Sequence, residues 1–216
     1  MKIFKSCPIV LGGCLLAPML SGCLGGLFGN SKSQAMLAQH PQKQQQERKQ
    51  VAENNLQQKM REERSRQEYE AALKRLKYKE YGAALAGFQR AAEAGNADAL
   101  VALGDMYFNA QGVKEDNVKA LDYYTQAANK KVAAAYGKLA DMYASALGTK
   151  QDSKKALEYA NLAIQGKYML AHLILASMYI NGISVPEDGN KAREHFTLAC
   201  KANIKQACQI LDEIGQ

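Results

Sequence analysis

Residues 103–128 read LGDMYFNAQGVKEDNVKALDYYTQAA, and sliding the chain against itself by 36 positions finds the same pattern twice more. The shift superposes Ala99, Ala135, Ala171 and Ala207, then Leu103, Leu139, Leu175 and Leu211, then Tyr107, Tyr143 and Tyr179. It also superposes Asp116, Asp152 and Asp188, Ala84, Ala120, Ala156 and Ala192, and Ala91, Ala127, Ala163 and Ala199. Self-similarity at such a period is the signature of a stacked-repeat architecture, because one unit alone cannot bury its apolar face.

Within a unit, Ala99, Leu103, Met106 and Tyr107 fall at i, i+4, i+7 and i+8, one face of a helix. Ala120, Tyr124 and Ala127 form the stripe of a second helix, so each unit is a helical hairpin. The alanines let paired helices approach closely while Leu and Tyr fill the space between hairpins. Met106, Met142 and Met178 keep the core register and are packing residues. Asp116, Asp152 and Asp188 stand where each second helix begins, the place for an N-cap; the alternative, a row of carboxylates for a metal, would need groups that the repeats hold about 10 Å or more apart.

The motif Leu103-Gly104-x-x-Tyr107, Gly112-Val113-x-x-Asp116-x-x-Lys119-Ala120-x-x-Tyr123-Tyr124-x-x-Ala127-Ala128 resembles the Sel-one-like repeat (SLR), a relative of the tetratricopeptide repeat with a longer unit and loop. The following units keep Gly148, Lys155 and Tyr159, then Gly182, Lys191 and Phe196, while Gly104 becomes Ala140 and Ala176 and the third loop gains Pro186. The resemblance covers roughly Tyr69 to the C-terminus, with a shorter, more tetratricopeptide-like unit at Tyr69–Asn96 and a final half-unit at Lys205–Ile214 that caps the end. It implies an all-α, right-handed α/α solenoid over 69–216. It also implies that the first helix of each hairpin lines a partner-binding groove. Carried over by the repeat, the groove positions are Val101, Asp105, Phe108 and Asn109, then Gly137, Asp141 and Ser145, then Leu173, Ser177, Ile180 and Asn181. The column Asn109, Ser145 and Asn181 would offer amides and a hydroxyl, and Asp105 with Asp141 negative charge, which suits a cationic or extended peptide.

The N-terminal part has a different organisation. Lys2 and Lys5 precede an apolar stretch, Ile9 to Leu20, too short to span a bilayer comfortably, which is the form of an export signal over 1–22. Leu20-Ser21-Gly22-Cys23 resembles the lipobox of bacterial lipoproteins, which implies diacylglycerol on Cys23, cleavage before it and acylation of the freed amine. Two or more acyl chains anchor firmly where one is marginal. Leu11-Gly12-Gly13-Cys14 is a rival match, but it would leave an apolar run behind the lipid; a plain secretory signal is the other alternative. Leu24 rather than aspartate after the lipidated position favours the outer membrane, facing the periplasm. Residues 23–41, rich in Gly and small polar residues at their start, read as a tether, and 42–68, rich in Gln, Lys, Arg and Glu, as a polar helical arm. That arm is either an exposed stalk or a segment that orders on a partner.

The chain carries 28 basic and 21 acidic residues. Of these, 12 basic and 7 acidic lie in Ser31–Glu80, and the remainder from Tyr81 balances at zero. The arm's excess faces either anionic envelope groups or simply water. A neutral repeat body disfavours nucleic acid. Cys7 and Cys14 would leave with the signal and Cys23 would carry lipid, so the folded part keeps Cys200 and Cys208. In an oxidising compartment an isolated pair is a disulfide candidate; a metal site would need two further ligands, and His195 is the one near histidine. The spacing of the two cysteines is similar to that of pairs that staple adjacent helices in secreted cysteine-rich SLR proteins.

Catalytic constellations are lacking: there is no Gly-x-Ser-x-Gly, His-Glu-x-x-His, phosphate loop or Cys-x-x-Cys, and His40, His172 and His195 lie in unrelated places along the chain. Some cysteine-rich relatives carry β-lactamase activity by name, yet no serine here has lysine three residues on. The reading is a non-enzymatic outer-membrane lipoprotein without metal or cofactor, binding other envelope proteins or peptides through a repeat groove. Alternatives are an enzyme acting on cell-wall peptides or β-lactams, and a surface-exposed virulence factor. Oligomeric state stays open.

Overall fold

The computed structural model describes residues 31–214, with side chains from residue 43 onward. The signal, Cys23 and most of the tether therefore lie outside the described residues. The described residues form nine α-helices and no strand: α1 Ser31–Lys77, α2 Tyr81–Glu93, α3 Ala97–Phe108, α4 Asn117–Asn129, α5 Ala133–Ala144, α6 Ser153–Gln165, α7 Ala171–Asn181, α8 Gly189–Lys201 and α9 Lys205–Ile214. None of these helices is long and apolar enough to cross a membrane.

Contacts divide the chain into two units at Val51/Ala52. The described part of the first is the opening of α1. The second holds the rest of α1 and all other helices. No break in secondary structure marks the expected boundaries at 41/42 and 68/69: arm and first repeat helix are one continuous α1, since 42–77 lacks glycine and proline and is built of good helix formers.

The second unit is an α/α solenoid. Hairpins α3–α4, α5–α6 and α7–α8 stack in sequence, preceded by a hairpin of the end of α1 with α2 and followed by α9 on α8. The small-residue columns set the spacing. Ala84, Ala120, Ala156 and Ala192 are each 2 % exposed or less, as are the columns beginning at Ala91 and Ala99. In the first hairpin a Cβ on Gly87 would sit 2.8 Å from that of Ala72, so α1 and α2 pack with almost no side chain between them. Leu103, Leu139, Met106, Met142 and Met178 fill the layers between hairpins and are fully buried.

Each long loop is held by the same three residues. The amides of Asp116, Asp152 and Asp188 donate to the carbonyls of Tyr107, Tyr143 and Tyr179 at 3.0–3.1 Å. Their carboxylates accept from the amides of Lys119, Lys155 and Lys191 at 2.9–3.0 Å, capping the second helix. The ammonium groups of those lysines then lie 5.0–5.3 Å over the rings of the same tyrosines. Helix end, loop and next helix start are thereby tied together three times over. The aspartates act as caps.

Gly148, at φ +67°, turns the second long loop in the left-handed region, and a Cβ there would overlap the carbonyl of Asn117. Gly148→Ala should lower stability by at least about 1–2 kcal/mol. At roughly 2–4 °C per kcal/mol, thermal unfolding followed by circular dichroism would resolve it. Ala146→Gly, two residues away at φ 55°, should leave the melting temperature unchanged or raise it.

Candidate interaction surface

The first helices of the hairpins, α1, α3, α5 and α7, form one layer, and the expected groove residues lie on it. A cavity of about 200 Å³ opens there between α1, α3 and α5. Its walls are Tyr69, Leu73, Leu76, Val101, Ala102 and Ala134, with Asp98 and Asp105 supplying carboxylates. Val101 is nearly buried and belongs to the core as well as to this lining. Phe108 and Leu173 are half-buried and pack on core clusters, so they present part of a face rather than a free side chain. Ile180, by contrast, is 48 % exposed.

Asp105 is already engaged. It accepts from the Tyr124 hydroxyl at 2.7 Å and pairs with the Lys138 ammonium at 2.6 Å, and that ammonium lies 6.0 Å from the centre of the Tyr124 ring. Burial first, and then the Asp105 carboxylate, holds the Tyr124 phenol far above its ordinary range, so it remains a donor. The expected negative column is therefore reduced to Asp141. Asp141 is exposed; desolvation by the neighbouring protein pushes its carboxyl up, and Lys138 partly offsets this.

The polar column also differs from expectation. Asn109 donates its amide N–H to its own helix at the Asp105 carbonyl, 2.8 Å away, and Asn181 does the same to the Ser177 carbonyl at 2.8 Å and hydroxyl at 3.3 Å. These amides close helix ends, which leaves their oxygens and the exposed Ser145 to meet a ligand. Gly137 is roofed by the ring of Tyr168, whose phenol burial pushes up. Lys138 and Tyr168 also belong to the surface but do not stand out in the sequence. Their one signal is a break in the 36-residue columns, where Lys138 faces Ala102 and Ile174, and Tyr168 faces Val132 and Ile204.

A larger opening of about 570 Å³ lies between α1 and α2. Two of its arginines are held internally: Arg61 donates to the carbonyls of Glu93 and Ala94 at 2.9 and 3.1 Å, and Arg90 pairs with Glu68 at 3.0 Å. The first-helix layer is the better candidate.

Cys200 and Cys208 form a disulfide linking the end of α8 to α9, with Cα atoms 4.8 Å apart. His172 and His195, remote in sequence, meet with their Nδ1 atoms 2.9 Å apart, a proximity the chain order conceals. No group of three or more His, Cys, Asp or Glu among the described residues is placed to hold a metal.

A hairpin solenoid with this loop signature is the Sel1 repeat architecture. The Sel1 repeat family model matches residues 97–132, 133–168 and 166–204, and the chain belongs to that family, whose repeats typically mediate protein–protein interaction and are generally non-catalytic. The matches leave out the first hairpin. Among solved structures, a Sel1 repeat protein from Oxalobacter formigenes superposes with a TM-score of 0.55 at 24 % identity, over 60 % of this chain and 53 % of its own. A protective antigen of uropathogenic Escherichia coli strains, described as displaying an SLR fold, gives a TM-score of 0.52 at 28 % identity, over 62 % of this chain and 29 % of its own. The chain thus spans about half of the first relative and under a third of the second. No curated protein is significantly similar in sequence.

Tyr124→Phe removes the hydroxyl from Asp105 while keeping the ring. Because the bond is to a charged group and the ring is buried, the variant should lose about 1.5–3 kcal/mol in chemical denaturation while keeping its helical spectrum.

Proposed function

We propose that the protein is a lipid-anchored scaffold of the bacterial outer membrane, facing the periplasm, whose first-helix layer captures a segment of another envelope protein. The observation that carries this reading is the apolar cavity at Tyr69, Leu73, Val101 and Ala134, with Asp98 in its wall and the exposed carboxylate of Asp141 further along α5. Together they suit an extended peptide bearing an apolar side chain and a basic one. Lipidation at Cys23 is supported by the residues Leu20-Ser21-Gly22-Cys23 closing an export signal. The anchor holds the solenoid at the membrane and the repeats supply area for contact, so the role requires no reacting group.

A second reading, exposure at the cell surface, is favoured by one comparison: the similar Escherichia coli protein is described as a protective antigen. Protease treatment of intact cells distinguishes the two, because a periplasmic chain is spared and a surface chain is cut.

Two variants test the proposal. Cys23→Ala should move the protein from the membrane to the soluble fraction without changing its helical content; retention in the membrane would remove the lipid reading. Asp141→Lys should weaken photo-crosslinking from a probe at Ser145 by about tenfold or more, equivalent to about 1.4 kcal/mol, with an unchanged melting temperature. Asp105 is unsuitable for this test, since a lysine there would confront Lys138 and disturb the fold. Unaltered crosslinking in Asp141→Lys would move the contact off this layer.

A further inference from the structure

The aromatic stack that runs beside the loops changes composition in the last hairpin. In the second repeat Tyr136, Tyr159 and Tyr143 pack in series, with ring centres 6.2 and 5.7 Å apart and planes within 20°. One unit later the same positions hold His172, His195 and Tyr179, at 5.1 and 5.6 Å. Histidine thus replaces tyrosine at two of three places, and a stack inert near neutral pH becomes one that can take protons.

The geometry limits how many it can take. A hydrogen bond between two Nδ1 atoms needs a proton on one ring and a lone pair on the other. A first added proton binds the outer nitrogen of the donor ring and leaves the bond intact. A second must occupy the accepting Nδ1, which sets N–H against N–H and two like charges 2.9 Å apart. His172 is only 5 % exposed, so water screens this poorly. Among the described residues neither ring forms an ion pair or any other hydrogen bond. Tyr179 stacks on His195 and has the Lys191 ammonium 5.3 Å over its ring, and α9 brings apolar Ile210 and Leu211 to the neighbouring core. Glu194 is the charged group that acts on the pair. It favours charged His195, but burial outweighs it, and both imidazoles are held below the ordinary histidine range.

We propose that the His172–His195 contact is a proton-operated latch between α7 and α8, closed at neutral pH and opened by mild acid, confined to the last hairpin. The sign follows from linkage. The opened hairpin binds protons that the closed one refuses, so the latch's contribution is complete above the ordinary histidine range and is lost as pH falls through it. The first two repeats, whose stacks carry tyrosine, are not affected. A consequence that rests on the groove reading is that acid would also loosen Ser177, Ile180 and Asn181 on α7, and with them the far end of the partner's seat.

Hydrogen exchange read by mass spectrometry on the full chain tests this, with rates corrected for the intrinsic effect of pH. Between about pH 7 and about pH 5, exchange in α7 and α8 should rise about tenfold or more while α3 and α4 stay flat, since each extra proton bound on opening gives up to tenfold per pH unit. The double variant His172→Tyr with His195→Tyr, which installs the second repeat's own rings, should abolish the rise. Should that variant fail to fold, nuclear magnetic resonance titration of the two rings in the unaltered chain decides: linked steps below the ordinary range support the latch. Independent titration in the ordinary range, an equal rise in every repeat, or a rise that survives in the tyrosine variant would overturn it. None of these outcomes depends on a partner, so the latch and the groove can fail separately.

Discussion

Close approach between helices is the condition from which the solenoid follows. Twelve alanines in three columns stand at the crossings and none is more than 2 % exposed, so helix separation is set by methyl groups and backbone. A larger residue at any of them would have to displace a whole helix, because the interior is packed to crystal-like density. With the spacing imposed, the leucine and methionine layers have one volume to fill. The Tyr–Asp–Lys clasp of each long loop then fixes how the second helix enters. Both conditions recur every 36 residues, and repetition of a single solved packing problem is what lets a chain of modest apolar content stack several units.

Where the repeat is broken, the breaks compensate one another in volume. Gly104 receives the ring of Tyr124, whereas its counterparts Ala140 and Ala176 share core clusters with Ala160 and Phe196. Gly137 receives Tyr168 in the same way. These exchanges carry polar chemistry into the first-helix layer: Tyr124 brings a hydroxyl to Asp105, and the adjacent Lys138 neutralises it. The candidate surface is therefore made where the units differ from one another.

This explains what could be read in advance. The period, the hairpins, the capping aspartates and the buried methionines are properties of single columns, and comparing a chain with itself exposes columns. The His172–His195 meeting, the Tyr168 roof over Gly137 and the Tyr124–Asp105 bond join different columns on different elements, 19 to 31 residues apart. Nothing in the periodicity states which columns touch. Repeat analogy places the groove residues on the first helices but cannot foresee their charge, since Asp105 and the two asparagine amides are occupied within the fold. Likewise the junction of arm and solenoid carries no break, because helix propensity is continuous from 42 to 77 while only the buried face changes.

The internal neutralisation of Asp105 bears on how such a surface selects a ligand. A row of free carboxylates would attract cationic segments of many kinds, and salt would weaken all of them alike. Here one carboxylate of the two is spent on holding neighbouring hairpins in register, and the remaining one, Asp141, stands exposed on α5, whose first turn helps to close the cavity between α1, α3 and α5. For the peptide proposed above, discrimination would come from fitting an apolar group while presenting a cation at one place, both features being built on helices rather than loops. A latch has consequences only where an element can part from its neighbour without dismantling the rest: α7 packs on α8 more than on α5 or α6, and Cys200–Cys208 keeps α8 on α9 when that contact loosens.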